Sequence, residues 1–289
     1  MSLLNVIILA IVQGMAELLP VSSSAHVVVA EKLLGLDPSA PPMTLLLVML
    51  HTGTMFAVIT YFWSQWRSTW FQSAAAFRKA AALIIIATLC TAVISLGIVE
   101  VVGKTVFRNV AHAEIEDLFS HLELIAPALA AAGLLIVIAG LYGERRGSWA
   151  PAATNDLNAA RAGLIGAVQG LCLPFRGFSR SGATISVAML LGVAKSRAEA
   201  FSFALAVIVT PPVVAREVLR LVRSAHENGS ADLTSAALFS LLGAVVAFLA
   251  GLIALKWLSR WLETGRWYLF GIYCLVAAAA VGLLHRAGY

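Results

Sequence analysis

The stretch Gln13-Gly14-Met15-Ala16-Glu17-Leu18-Leu19-Pro20-Val21-Ser22-Ser23-Ser24-Ala25-His26 decides how this chain must be read. It sets a carboxylate, three hydroxyls, an imidazole and a helix-breaking proline inside a long apolar N-terminal region. A charged side chain at membrane depth costs about 2.5–3.5 kcal/mol on insertion scales, so such groups face a cavity and act there. Residues 3–18 are too short, and too polar at their end, for an ordinary span of about 20 apolar residues. Pro20 and the serines break the helix, and a second short apolar piece runs from about Ala25 to Leu36. Two short helices around a polar turn predict a re-entrant hairpin. Non-helical backbone at that depth is tolerated only where protein or a wet cavity surrounds it.

A second stretch opens in the same way. Val168-Gln169-Gly170 repeats Val12-Gln13-Gly14, and Leu173-Pro174 and Gly177-Phe178-Ser179-Arg180-Ser181-Gly182-Ala183-Thr184 follow. With one inserted residue, Ser22-Ser23-Ser24 aligns with Ser179-Arg180-Ser181. The chain therefore reads as two related halves, each with one polar, broken segment.

The surroundings are those of a membrane protein. Of 289 residues 60% are hydrophobic and 12% charged, mean hydropathy is +0.90, and the apolar residues come in long runs. Full spans are predicted at about 43–63, 80–102 and 124–142, then at 199–220, 234–258 and 267–284, with Pro211 and Pro212 kinking the fourth. Between the first two, residues 63–79 look interfacial, with Trp66, Trp70 and Phe71 suited to the headgroup level. The expected fold is an all-α polytopic membrane protein in a single integral domain. Repeat half one covers 1–142, a Pro/Asn/Arg-rich linker 143–161, and repeat half two 162–289. Each half holds a re-entrant helix hairpin plus three transmembrane helices. An odd number of crossings makes the second half insert upside down, an inverted-topology repeat whose two turns meet near the midplane.

Orientation follows from the basic residues. Arg67, Arg78, Lys79, Arg145, Arg146, Arg161, Lys195, Arg197, Lys256, Arg260 and Arg266 fall on one side. Lys32, Lys104, Arg108, Arg216, Arg220, Arg223 and Arg286 fall on the other. The first, larger set predicts the cytoplasmic face, with both termini outside. The net charge of +5 and pI near 9.4 are thus topological and imply no nucleic-acid partner. Cys90, Cys172 and Cys274 sit in apolar surroundings without metal-like spacing and read as small core hydrophobes. The N-terminus lacks a basic leader region and carries Glu17 where a cleavage site would lie, so it reads as mature protein.

In the first turn Ser22 or Ser23 is a natural N-cap for the second short helix. Ser23 has more to do: His26 lies three residues on, on the same helix face, and Arg180 holds the matching place in the partner turn. A buried arginine keeps its proton and needs an anion. Glu17 alone could supply that anion as a structural ion pair. One carboxylate, however, does not account for two serine clusters, Thr184 and the amides of Gly177 and Gly182, read here as free. These donors at helix N-termini suit a phosphate. With a hydroxyl nucleophile and a base nearby, the reaction they suit is phosphoryl transfer to water.

The first stretch resembles the Glu/Gln-x-x-x-Glu signature of the undecaprenyl-diphosphatase (bacitracin-resistance) family, with its following Pro-Val-Ser-Ser-x-x-His. The second resembles that family's Pro-Gly-Phe-Ser-Arg-Ser-Gly-Ala-Thr signature, and Glu199-Ala200-Phe201-Ser202-Phe203 is similar to a weaker one. The match runs over essentially the whole chain. The resemblance implies an enzyme of the bacterial inner membrane that removes the terminal phosphate of undecaprenyl diphosphate. It thereby recycles the lipid carrier for cell-wall (peptidoglycan) synthesis, with consequences for cell shape and antibiotic resistance. It implies Ser23 as nucleophile, His26 as proton-transfer partner, Glu17 as base or cation ligand and Arg180 as phosphate clamp. Gln13 would fill the first acidic position, and Ser179, Ser181 and Thr184 would support the phosphate; Ser22, Ser24, Gly177 and Gly182 are further candidates for binding it, and Arg176 either adds a second phosphate contact or reaches an interface. It further implies a divalent cation, Mg or Ca, at Glu17 and Gln13, and leaves room for a homodimer. Two positions depart from the pattern: Gln13 stands where many members have glutamate, and Arg176 where the signature has proline.

The rival expectation is a transporter or flippase for a lipid-linked or other anionic substrate, since inverted repeats with broken helices also build carriers. The Ser23/His26 pair favours hydrolysis. His51 either lines the cavity or is a satisfied core histidine. The cluster His112, Glu114, Glu116, Asp117 and His121 reads as solvated loop.

Overall fold

A computed structural model describes residues 2–37, 40–106, 122–145, 157–228 and 233–286. All regular structure among these is helical. The elements are α1 (Leu3–Leu18), α2 (Ser23–Leu33), α3 (Pro41–Thr69), α4 (Ala74–Val106) and α5 (Leu122–Arg145), then α6 (Ala159–Cys172), α7 (Arg180–Leu190), α8 (Lys195–Asn228), α9 (Leu233–Glu263) and α10 (Trp267–Arg286). Six of them are long and apolar enough to cross a membrane: α3, α4, α5, α8, α9 and α10. This is a multi-pass helical membrane protein. The polar cluster expected as loop, His112 to His121, lies outside the described residues.

The short helices start and stop for local reasons. The Ser2 hydroxyl accepts from the Asn5 amide at 3.2 Å and caps α1. The Asn158 side chain does the same for α6 through the Arg161 amide at 2.9 Å. Both helices stop where a proline follows, at Pro20 and Pro174. The partner helices α2 and α7 end alike, in Leu-Leu-Gly. Gly35 (φ 64°) and Gly192 (φ 77°) take the left-handed conformation. The amides of Leu36 and Val193 reach back to the carbonyls of Glu31 and Ala188, both at 2.9 Å. This Schellman closure wants glycine, because a Cβ is strained there.

Bilayer lipid is as apolar as leucine, so the helices must hold together by close backbone approach rather than by hydrophobic segregation. Glycine provides it. A Cβ on Gly14 would lie 2.7 Å from the Ala247 carbonyl oxygen, so α1 runs tight along α9; one on Gly166 would lie 2.1 Å from the Ala87 oxygen, so α6 runs tight along α4. Gly133 and Gly271 face each other's backbone where α5 crosses α10. The core filled around these contacts includes Phe62, Phe201, Phe203 and Trp267, the last donating its indole N–H to Ser186 at 2.9 Å. Ile85, Leu89, Val93 and Leu96 of α4 are exposed on its outer side.

Two readings of the 63–79 region need correction. Helix α3 continues to Thr69, and α4 begins already at Ala74. Trp66 is buried: it stacks between Phe62 and Trp70 and donates to the Ala200 carbonyl at 3.2 Å. The interfacial pattern was read from composition, which cannot see the neighbouring α8. Pro211 and Pro212 lie within α8, which stays helical through them.

Candidate active site between the two polar turns

The turns 19–22 and 173–179 meet around a cavity of about 170 Å³ lined by both, with Glu17, Ser22, Ser23, Ser24, Arg176, Ser179, Arg180 and Ser181 on its walls. Glu17 is the hub. One carboxylate oxygen accepts the Ser23 hydroxyl at 2.5 Å and the Gln13 amide at 3.2 Å. The other accepts the Arg180 guanidinium at 2.9 Å. The Glu17 and Arg180 side chains are only 15% and 18% exposed. Low polarity around them strengthens the pair and makes either partner costly to remove alone. Ser23 and Arg180, far apart in sequence, thus touch one carboxylate.

The backbone delivers Ser23 there at a cost. Ser22 has φ 68°, and no other non-glycine described residue has a positive φ. A serine so placed carries roughly 1–3 kcal/mol of strain, which persists only where neighbours over-determine it. His26 does so: its Nδ1–H donates to the Ser22 carbonyl at 2.8 Å. That fixes the tautomer, and His26 Nε2 accepts from the Tyr273 hydroxyl at 2.7 Å. Ser22 fills the N-cap position of α2, but its side chain makes no capping bond. Its hydroxyl lies 3.2 Å from that of Ser24 instead.

In the second turn Ser179 caps α7, accepting from the Gly182 amide at 3.2 Å. The Gly177 amide (φ 97°) donates to the Ser24 hydroxyl at 3.2 Å, tying the turns together, and Ser181 reaches the Leu19 carbonyl at 3.4 Å. The two glycine amides read as free are therefore engaged, one in a cap and one across the site. Thr184 has no exposed surface; its hydroxyl donates to the Arg180 carbonyl at 2.8 Å and lies 2.5 Å from that of Ser202. Arg176 is exposed at the cavity rim, near the buried Glu31.

Of the residues the sequence singled out, Gln13, Glu17, Ser23 and Arg180 form one hydrogen-bonded group. His26 stands beside it without bonding to Ser23. His51, left undecided by sequence, joins: its Nδ1 lies 2.9 Å from the Gln13 amide nitrogen and 3.8 Å from the Glu17 carboxylate. Sequence reasoning missed Tyr273 and Glu31. A tyrosine in an apolar span carries no local signal, whereas Glu31 carried one, a charge inside the apolar piece 25–36.

The donor set bears on a cation. Among the described residues no group of three His, Cys, Asp or Glu side chains could cage one. Glu17, with the Gln13 amide beside it, is one carboxylate. That suits magnesium or calcium only where phosphate oxygens and water complete the shell.

The match to the model of the bacitracin resistance protein BacA family runs over residues 6–280. The chain belongs to that family. It is 54% identical over 284 residues to the undecaprenyl-diphosphatase 2 of Acinetobacter baylyi, covering 97% of each chain. It is 32% identical over 283 residues to the undecaprenyl-diphosphatase of Rhodopirellula baltica, covering 98% of each. A relative from Korarchaeum cryptofilum, also an undecaprenyl-diphosphatase, shares 31% over 299 residues. Family membership thus spans both polar turns and all six long helices.

Proposed function

We propose that this protein hydrolyses the terminal phosphate of undecaprenyl diphosphate, giving undecaprenyl phosphate and inorganic phosphate. In the bacterial inner membrane this returns the lipid carrier to cell-wall synthesis. The relatives' names supply the substrate. The observation that carries the chemistry is Glu17 holding the Ser23 hydroxyl at 2.5 Å on one oxygen and Arg180 at 2.9 Å on the other. That arrangement supports hydrolysis over the transporter reading, which has no use for a hydroxyl poised on a base.

In the reaction Arg180 exchanges Glu17 for the terminal phosphate, where its planar fork offers two parallel bonds. Ser23 Oγ attacks that phosphorus and passes its proton to Glu17. The bridging P–O bond breaks, and its electron pair leaves with undecaprenyl phosphate. Water then attacks the phosphoserine, the P–Oγ bond breaks, and Ser23 regains its proton. Ser22, Ser24, Arg176 and Ser179 surround the phosphate. Gly177, Ser181, Gly182 and Thr184 support it by fixing the two turns. His26 exchanges protons with the reacting oxygens after releasing Tyr273. A divalent cation would be held by Glu17 and Gln13 with the diphosphate oxygens, and would neutralise charge on the leaving group.

Rapid quench with terminally labelled substrate tests this. We expect label on Ser23, and Ser23→Ala should lose phosphate release while staying folded. Full turnover in that variant would remove the nucleophile. In the same assay a chelator should abolish turnover and added magnesium or calcium restore it; unchanged turnover would remove the cation.

The two halves form an inverted repeat, with both termini extracytoplasmic. The reciprocal packing of α1 on α9 and of α6 on α4 supports this, as do three spans per half and the shared Leu-Leu-Gly endings. Cysteines placed at Asp37 and Lys195 should react with an impermeant thiol reagent from opposite faces of the membrane. Labelling from the same face would end the inverted plan.

A further inference from the structure

The C-terminal end of α9 holds a second cavity, of about 500 Å³, remote in sequence from both polar turns. Lys256, Arg260 and Arg266 line it together with Trp257, Trp261 and Thr264. Lys256 and Arg260 lie one helical turn apart on the same face of α9. Arg266 arrives there through the chain reversal at Gly265 (φ 78°). Its amide donates to the Trp261 carbonyl at 2.8 Å, and the Gly265 amide to the Leu262 carbonyl at 3.3 Å. This is a Schellman closure, which folds Arg266 back beside the last turn.

Cations at a helix C-terminus ordinarily serve the unpaired carbonyls and the negative end of the dipole. Here that work is done by others. The Arg260 carbonyl takes the Thr264 amide at 3.1 Å and its hydroxyl at 2.9 Å. The Glu263 carbonyl takes the Lys195 ammonium at 3.3 Å. Among the described residues none of Lys256, Arg260 and Arg266 makes a side-chain hydrogen bond or an ion pair. The neighbouring carboxylate, Glu263, leaves the group positively charged.

The approach to the cavity is apolar and continuous. Leu238, Leu242, Val245, Leu249, Ile253 and Trp257 of α9 are all exposed, at spacings of three or four residues, and so form one stripe. It runs along the lipid-facing side of the helix and ends at the cations. Two tryptophans at the junction, 5.1 Å apart, mark the headgroup level.

We infer that this cavity binds the phosphate headgroup of an anionic phospholipid, whose acyl chains lie along the exposed stripe of α9. The ligand is a bilayer lipid rather than free phosphate, because the stripe gives affinity only to a molecule with chains. The site is independent of the proposed reaction, and none of its residues touches the cavity around Glu17.

The test reconstitutes the full chain in phosphatidylcholine vesicles containing brominated phosphatidylglycerol, which quenches tryptophan on contact. Wild type should select the anionic lipid over brominated phosphatidylcholine. K256Q/R260Q/R266Q should lose that selection, by about fivefold for each cation removed, while phosphate release from a prenyl diphosphate stays unchanged. Arg266→Gln alone, outside the helix, reads the same effect if the triple variant folds poorly. Millimolar inorganic phosphate should leave the wild-type preference intact. Equal preference in wild type and variants, or its loss to inorganic phosphate, would overturn the assignment.

Discussion

The two polar turns share a helix–turn–helix frame and differ in chemistry. Both follow Val-Gln-Gly, both start a short helix beside the cavity, and both of those helices close on Leu-Leu-Gly. The first turn carries Glu17, Ser23 and His26; at the aligned positions the second carries Leu173, Arg180 and Ala183. The glutamines differ as well. Gln13 bonds to Glu17 and lies against His51, whereas Gln169 has no exposed surface, donates to Thr91 at 3.2 Å and leaves its carbonyl oxygen without a partner. One turn supplies the carboxylate and hydroxyl and the other the cation that balances them. Neither is a site alone.

The largest effects should come from the atoms where the turns meet. Glu17→Gln removes the acceptor of Ser23 and the partner of Arg180, so phosphate release should fall by about 10³-fold. Arg180→Lys keeps the charge but not the fork, and should cost on the order of 10²-fold. If Arg180→Lys ran at near wild-type rate, the arginine would be a structural partner of Glu17 and the division of labour between the turns would fail.

The glutamines offer a sharper contrast. Gln13→Leu should lower turnover about tenfold, since one charge-assisted hydrogen bond to Glu17 goes. Gln169→Leu should leave turnover unchanged, because the apolar group replaces an amide that is already half unpaired. Equal losses in steady-state rate would show that Gln169 takes part in the site.

The smallest effects concern packing alone. Gly166→Ala puts a Cβ 2.1 Å from backbone oxygen, Gly14→Ala one at 2.7 Å. Both should destabilise by roughly 1–3 kcal/mol, with Gly166→Ala the worse. Thermal unfolding of the purified variants ranks them, and the reverse order would mean that α4 yields more readily than α9.

Much of this architecture was legible in sequence, for identifiable reasons. The spans are long apolar runs, and the hairpins betray themselves by Pro20, Pro174 and polar residues where lipid would forbid them. Glu17 and Arg180 stood out because charge at that depth is costly, and Ser23 because His26 follows it by three residues and Arg180 aligns with it. Less was legible where a group's partner comes from a distant helix. Trp66 reads as an interfacial aromatic until α8 covers it. The Gly177 and Gly182 amides look free until Ser24 and Ser179 take them. Helical spacing sets His26 near Ser23, yet Ser22 and Tyr273 hold it. Tyr273 carried no signal at all, and Glu31 only its charge inside the apolar piece 25–36.

Sequence by itself determined that the chain lives in a bilayer, that its helices break twice, and which residue types gather at each break. Those follow from the free energy of placing each side chain or free amide in lipid, which is a property of the residue. The tertiary structure alone decided that one carboxylate serves both Ser23 and Arg180, and that Ser24 takes the Gly177 amide across the site. Those depend on glycine contacts between helices far apart in the chain, where a few tenths of an ångström of backbone approach set which polar groups can meet.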